Sequence, residues 1–140
     1  MKKRYLGLDL GTKTMGVSIT DPSNTIIFPR TTIRFNREQY DEAIEALKPI
    51  VEKEKITDVA IGLPINMDGT LGYASDRTKN FIPKLEALGL EVHTVDERLT
   101  SVEAERLLHD CDLKSKEFKD RVDMEAAVLI LESYLRSISW

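Results

Sequence analysis

The hydrophobic pattern changes period near residue 36, and that change restricts the chain to a sheet with helices packed on it. Before it come three strand-like runs. Residues 5–10 and 15–20 are apolar-rich and joined by Gly11-Thr12-Lys13-Thr14, which reads as a tight hairpin. Residues 25–35 are rich in Ile, Thr and Phe, and Pro29 inside them implies a bulge or a break. Three consecutive strands with short links predict an antiparallel meander.

After residue 36 the spacing becomes helical. Tyr40, Ala43, Ile44, Leu47, Ile50 and Val51 share one face, with Asn36 and Gln39 placed like a cap and its third-position partner. Pro49 is expected to kink this helix or end it early. Residues 57–63 form a continuous apolar run, the mark of a strand buried on both faces. Ala74, Thr78, Phe81, Ile82, Leu85 and Leu88 outline a second helix, disturbed by Pro83, and residues 90–95 a fifth strand. Thr100-Ser-Val-Glu103 is a capping box, followed by an apolar stripe through Ala104, Leu107, Leu108 and Cys111. A polar stretch, 112–120, then leads into a last helix through Val122, Ala126, Ala127, Ile130 and Tyr134. The order β-β-β-α-β-α-β-α-α predicts an α/β fold. Its mixed five-stranded sheet joins a three-stranded antiparallel meander to two α-linked parallel strands, flanked by helices. At 140 residues this is one domain, residues 1–140.

Composition narrows the setting. Hydrophobic residues at 41% and charged residues at 31% exclude a disordered chain, and no apolar run approaches the ~20 residues that span a bilayer. A single cysteine, Cys111, excludes an internal disulfide and a multi-cysteine zinc site, and no signal-peptide core opens the chain. A cytoplasmic location is expected. The net charge of −4 argues mildly against a polyanionic partner, yet the distribution is uneven. Residues 1–37 carry seven basic groups against Asp9 and Asp21, a balance of +5; the remaining 103 residues balance at −9. Such asymmetry hints at nucleic-acid contact and is also what an uneven solvated surface gives.

Three acids fall at positions worth weighing together. Asp9 shares a strand face with Tyr5 and Gly7, near the end of a central strand. Glu97 follows the fifth strand directly. Asp123 shares a helix face with Ala126, Ala127 and Ile130, and the two alanines permit close approach to the sheet. Singly, Asp9 fits as an acceptor for the Gly11 turn, and Asp123 as a partly exposed acid beside Arg121. Three converging carboxylates would repel one another and raise their pKa values, each unit costing about 1.4 kcal/mol. Mg²⁺ or Mn²⁺ removes that penalty, and two such ions about 3.5–4 Å apart can position and polarise a phosphodiester for attack by water.

Four blocks in order then resemble the YqgF (RuvX) family. They are Gly7-Leu-Asp-Leu-Gly-Thr-Lys-Thr-Met-Gly-Val17, Gly62-Leu-Pro-Ile-Asn-Met-Asp-Gly-Thr70 with Gly72, Asp96-Glu-Arg-Leu-Thr-Ser101, and Asp123-Met-Glu-Ala-Ala127 with Ile130-Leu131. The resemblance spans essentially the whole chain. It implies a ribonuclease H-like fold, activity as a Holliday junction resolvase or pre-16S rRNA-processing nuclease, and acidic positions at Asp9, Glu97 and Asp123. It also implies an RNA rather than a DNA partner, with ribosome precursors as the setting and no membrane. Two departures reduce basic character. Lys13-Thr14-Met15-Gly16 stands where the family commonly has Lys-Arg-Ile-Gly, and the often strongly basic stretch before the last acid is interleaved here with Asp112, Glu117 and Asp120. Both weaken salt-dependent phosphate binding without touching the metal positions.

Substrate contacts are expected from Lys13, Asn66 and Arg98. Lys13 sits on the first turn, where a solvated lysine is the plain alternative. Asn66 belongs to a glycine turn at a strand's carboxyl end. Arg98 either meets phosphate or braces Asp96. Two other functions compete with a metal nuclease. Asp9-Leu-Gly-Thr12 followed by Gly16 is similar to the first phosphate loop of actin-like ATP-binding proteins, but that clasp uses two related domains and no second such block occurs. A catalytically silent nucleic-acid or ribosome-assembly module fits the net acidity, and the three intact acids count against it.

Overall fold

The computed structural model describes residues 3–64, 71–96 and 116–138. Its elements run β1 (Tyr5–Leu10), β2 (Thr14–Thr20), β3 (Ile27–Arg34), α1 (Tyr40–Glu54), β4 (Asp58–Leu63), α2 (Tyr73–Glu86), β5 (Glu91–Asp96) and α3 (Lys116–Ser137). The five strands form one sheet in the order β3-β2-β1-β4-β5, so β1 is central. The β1–β2 and β2–β3 pairs are antiparallel, and β1–β4 and β4–β5 are parallel. This is the expected meander with two α-linked parallel strands.

Alternation along the strands sorts residues onto two faces. Leu6, Leu8, Leu10, Met15, Val17, Ile19, Val59 and Ile61 point to one side. There they pack against Ala43, Ile44, Leu47 and Ile50 of α1 and Phe81 and Leu85 of α2. On the other face Tyr5, Ala60 and Val95 receive Ile130, Leu131 and Leu135 of α3. Each fully buried Leu or Ile contributes about 2 kcal/mol, so among the described residues the α1/α2 face supplies most of the hydrophobic stabilisation. The α3 face is thinner, and its small residues matter for another reason developed below.

The Pro29 bulge is present. Val17 pairs with Thr31 and Ser18 with Pro29, leaving Arg30 as the extra residue. Neither helix proline ends its helix. α1 runs five residues beyond Pro49, which lies on the exposed side, so the carbonyl of Glu45 that loses its partner faces water. Pro83 likewise sits exposed within the last turn of α2.

The expected Asn36 cap is corrected. The capping position is Gln39, with no side-chain capping bond, because Glu38 takes a left-handed turn (φ 62°) that separates Asn36 from the helix. Glu42 closes the gap instead, its carboxylate accepting from the Asn36 backbone amide at 2.8 Å and from Nδ2 at 3.1 Å. The last helix begins at Lys116, inside the stretch read as a polar lead-in, since Lys and Glu are good helix formers wherever no strand competes. The helix expected after Thr100 lies outside the described residues.

Candidate active site

Asp9 is the penultimate residue of the central strand, on the α3 face, and its cross-strand partner is Gly16. A side chain at Gly16 would have no room. A Cβ there would lie 1.9 Å from the Asp123 carbonyl oxygen and 2.4 Å from its carbon. Two pairs further along, on the same face, Gly7 faces Ser18, and a Cβ on Gly7 would lie 2.5 Å from the Ala127 carbonyl oxygen. The Ser18 hydroxyl donates to that same carbonyl at 2.7 Å, fully buried. On β3, Thr32 pairs with Gly16 and donates its hydroxyl to the Asp120 carbonyl at 2.8 Å. The backbone of α3 therefore rests directly on a seat built from Gly7, Gly16, Ser18 and Thr32. This close approach brings Asp123 to the carboxyl end of β1, beside Asp9.

Electrostatics follow from the seat. Burial pushes the Asp123 carboxyl above the ordinary carboxylate range; a hydrogen bond with Thr14 opposes this, and the charges of Asp9 and Asp120 add to the rise, with Arg34 opposing. Asp123, Thr14, Lys13 and Arg34 line one cleft of about 510 Å³ together with the Gly11 turn. That turn is tight, Gly11 donating to the Thr14 carbonyl at 2.8 Å. The end of β3 braces it, Phe35 donating to the Lys13 carbonyl at 2.9 Å and Glu38 to that of Thr12 at 2.8 Å.

Of the six side chains expected from the sequence, Asp9, Asp123 and Lys13 gather at this place. Glu97, Asn66 and Arg98 lie outside the described residues. Asp96 closes β5, and register carries the strand ends into line: Leu8 pairs with Ile61, and Gly62 with Val95. The carboxyl end of β5 is thus two strands from Asp9, roughly 10 Å at the usual strand spacing. The site fits a hard divalent cation, because the Asp9 charge adds to the rise of the half-buried Asp123 carboxyl and a cation near both relieves it. Sequence reading missed Thr14, Arg34 and Asp120 as neighbours of Asp123. Only the basic count of residues 1–37 pointed toward Arg34.

A second charged group lies at the opposite end of the sheet. Asp58, Glu91 and His93 offer donor atoms within 4.8 Å of one another, near enough to hold a cation. The Lys3 ammonium already bonds Asp58 at 3.3 Å and Glu91 at 3.5 Å. Asp58 is also bonded by His93 at 3.0 Å and Thr57 at 2.6 Å, and the His93 ring stacks on Tyr134. Burial works to raise the Asp58 carboxyl, but the bonds from Thr57, His93 and Lys3 outweigh it and hold the group below its ordinary value of 3.8. A depressed folded value means that the unfolded chain binds more protons, so this stability is present above pH ~4 and is lost as pH falls below it. Asp58→Asn should cost about 1–3 kcal/mol at pH 7 and flatten the acid limb of stability, as measured by urea unfolding between pH 3 and 7.

Comparison with known proteins places these observations. The family profile described as RuvX, Holliday junction resolvase, matches residues 3–137. A protein of Clostridium botulinum (strain Hall) is 42% identical over 137 residues, covering 97% of this chain and 98% of its own length. One from Caldanaerobacter subterraneus subsp. tengcongensis is 43% identical over 136 residues, covering 96% of each. Both carry, as a provisional assignment, the name pre-16S rRNA nuclease. Among solved structures, Thermus thermophilus RuvC in complex with a Holliday junction superposes with a TM-score of 0.57 at 13% identity, covering 97% of this chain and 96% of that one. Fowlpox virus resolvase bound to a Holliday junction gives 0.51 at 12% identity, covering 96% and 98%. These likenesses show a ribonuclease H-like fold.

Proposed function

Since the chain belongs to the RuvX family, we propose that it is a metal-dependent nuclease acting on the precursor of 16S rRNA, with Asp9, Glu97 and Asp123 as its metal ligands. The observation that carries this reading is the seating of α3 on bare glycine, which half-buries Asp123 within reach of the Asp9 charge and raises its carboxyl, an arrangement that disfavours the ionised group without a cation. Mg²⁺ or Mn²⁺, as two ions, would supply the charge that polarises a phosphodiester and readies water for attack at neutral pH.

The chain's own residues do the rest. Asp9 is fixed by its pairing with Gly16 of β2, just beyond the Leu8–Ile61 pair with β4, and Thr14 holds the Asp123 carboxylate through its hydroxyl. Lys13, exposed on the braced turn, draws phosphate toward the cleft, while Asn66 and Arg98 add substrate contacts. The unit that does this is the whole chain, residues 1–140, as one domain. Its setting is the cytoplasm, where ribosome precursors are made. No helix among the described residues is long and apolar enough to cross a membrane.

The name shared by the curated relatives favours RNA, and the family description favours a four-way DNA junction as the second reading. Purified protein in Mg²⁺ or Mn²⁺ should be given labelled precursor rRNA and a synthetic four-way junction side by side. The expected result is cleavage of the RNA. Cleavage of the junction alone selects the second reading, and intact binding with neither substrate cut overturns the nuclease reading.

A further inference from the structure

The cleft has a carboxylate end and a cationic end. Among the described residues, Lys13 and Arg34 are the cations that line it, and Asp123 is the carboxylate. Arg34 is the last residue of β3, where strand alternation turns it to the α3 side with Thr32. Its guanidinium pairs with the Asp120 carboxylate one helical turn before Asp123. That pairing uses one nitrogen, Nη2, and the side chain remains 40% exposed toward the cleft. A guanidinium carries five donors in a flat fork matched to two oxygens of a phosphate. Asp120 thus holds Arg34 in place and leaves donors for an incoming anion.

We propose that Arg34 is a phosphate-binding residue of the cleft, positioned by Asp120, that grips a backbone phosphate next to the one held at Asp9 and Asp123. This rests on the nucleic-acid reading given above. The division of labour follows from charge. The phosphate over the carboxylates needs added cations before it can approach, whereas its neighbour meets two side-chain cations directly. Lys13 supplies a mobile point charge, and Arg34 a fixed fork that sets where the strand enters.

The alternative is that Arg34 serves only to pin the start of α3 through Asp120. The two roles separate in a binding experiment without cleavage. Wild type, Arg34→Ala, Arg34→Lys and Asp120→Asn would be titrated with a labelled precursor rRNA fragment and a four-way junction in EDTA, at several salt concentrations, with thermal melts alongside. Phosphate binding predicts that Arg34→Ala loses about tenfold in affinity and about one unit from the slope of log Kd against log salt. Arg34→Lys should keep the slope and recover only part of the affinity. Asp120→Asn should lose clearly less than Arg34→Ala and keep the wild-type salt slope, because its amide oxygen still accepts from the guanidinium while a competing negative charge is gone. Equal losses in Arg34→Ala and Asp120→Asn, tracking their melting temperatures, would overturn the assignment. So would an unchanged salt slope in Arg34→Ala while wild type binds normally, an outcome that leaves the nuclease reading standing. Absence of salt-dependent binding by wild type to either probe, in EDTA and again with Ca²⁺ in place of Mg²⁺, would instead bring down both.

Discussion

Gly16→Ala is expected to lose both the close seating of α3 on the sheet and all cleavage. The added carbon would sit 1.9 Å from the Asp123 carbonyl oxygen, and the atom it meets is helix backbone, with no rotamer to retreat into. Either α3 lifts or β2 bends. Overpacking of this kind costs on the order of 3 kcal/mol. Lifting α3 also breaks the Thr32 bond to Asp120 and the Ser18 bond to Ala127, leaving the Ser18 hydroxyl buried without its acceptor. Asp123 would then move away from Asp9, so metal-supported cleavage should vanish even at temperatures where the variant remains folded. Gly11→Ala is the control. A Cβ there meets only the Thr14 carbonyl at 3.2 Å and the Thr14 hydroxyl at 3.6 Å, so a much smaller loss is expected. Thermal melts and cleavage rates measured together separate the two, and a stable, active Gly16→Ala protein would disprove the glycine seat.

Asp9→Asn should do two opposite things. It removes a metal ligand, so cleavage should fall at least about a hundredfold, since even loss of a supporting bond to a ligand costs 10–100-fold. It also removes a charge that raises the Asp123 carboxyl, so the metal-free protein should melt at a higher temperature than wild type. The pH dependence gives the sign independently. A carboxyl raised in the folded state is a penalty that appears as pH climbs through the carboxylate range and is absent when the group is protonated. The gain should therefore be full at pH 7 and shrink toward pH 3. Mg²⁺ should raise the melting temperature of wild type and leave Asp9→Asn nearly unmoved. A variant that melts lower without metal, or that still cuts, contradicts the account.

Much of the fold was legible because the signals were local. Two apolar-rich runs joined by the Gly11 turn gave the hairpin, Pro29 gave the bulge, and the unbroken apolar run up to Leu63 gave the buried strand β4. Asp123 could be singled out because an acid beside Ala126 and Ala127 is out of place on a packing face. What stayed hidden depends on chain segments far apart. Arg34 and Asp120 are 86 positions apart, and Asp58 and His93 are 35, and no periodicity reports a charge pair formed across a sheet. The role of Gly16 was only half visible. Its place in the hairpin can be read from the sequence, but not the α3 backbone that fills the space its missing side chain leaves. Helix ends misled where one left-handed residue, Glu38, or an exposed proline, Pro49, altered what local spacing implied.

The most direct test compares cleavage against Mg²⁺ concentration for wild type, Asp9→Asn, Asp123→Asn and His93→Ala on whichever substrate wild type cuts. The sheet carries acidic groups at both ends, and this series asks which end performs the chemistry. Loss of cleavage in the two aspartate variants, with His93→Ala retaining the wild-type metal dependence, is the predicted result. Cleavage that survives both aspartate changes, or that disappears with His93, would contradict the placement of the active centre under the start of α3.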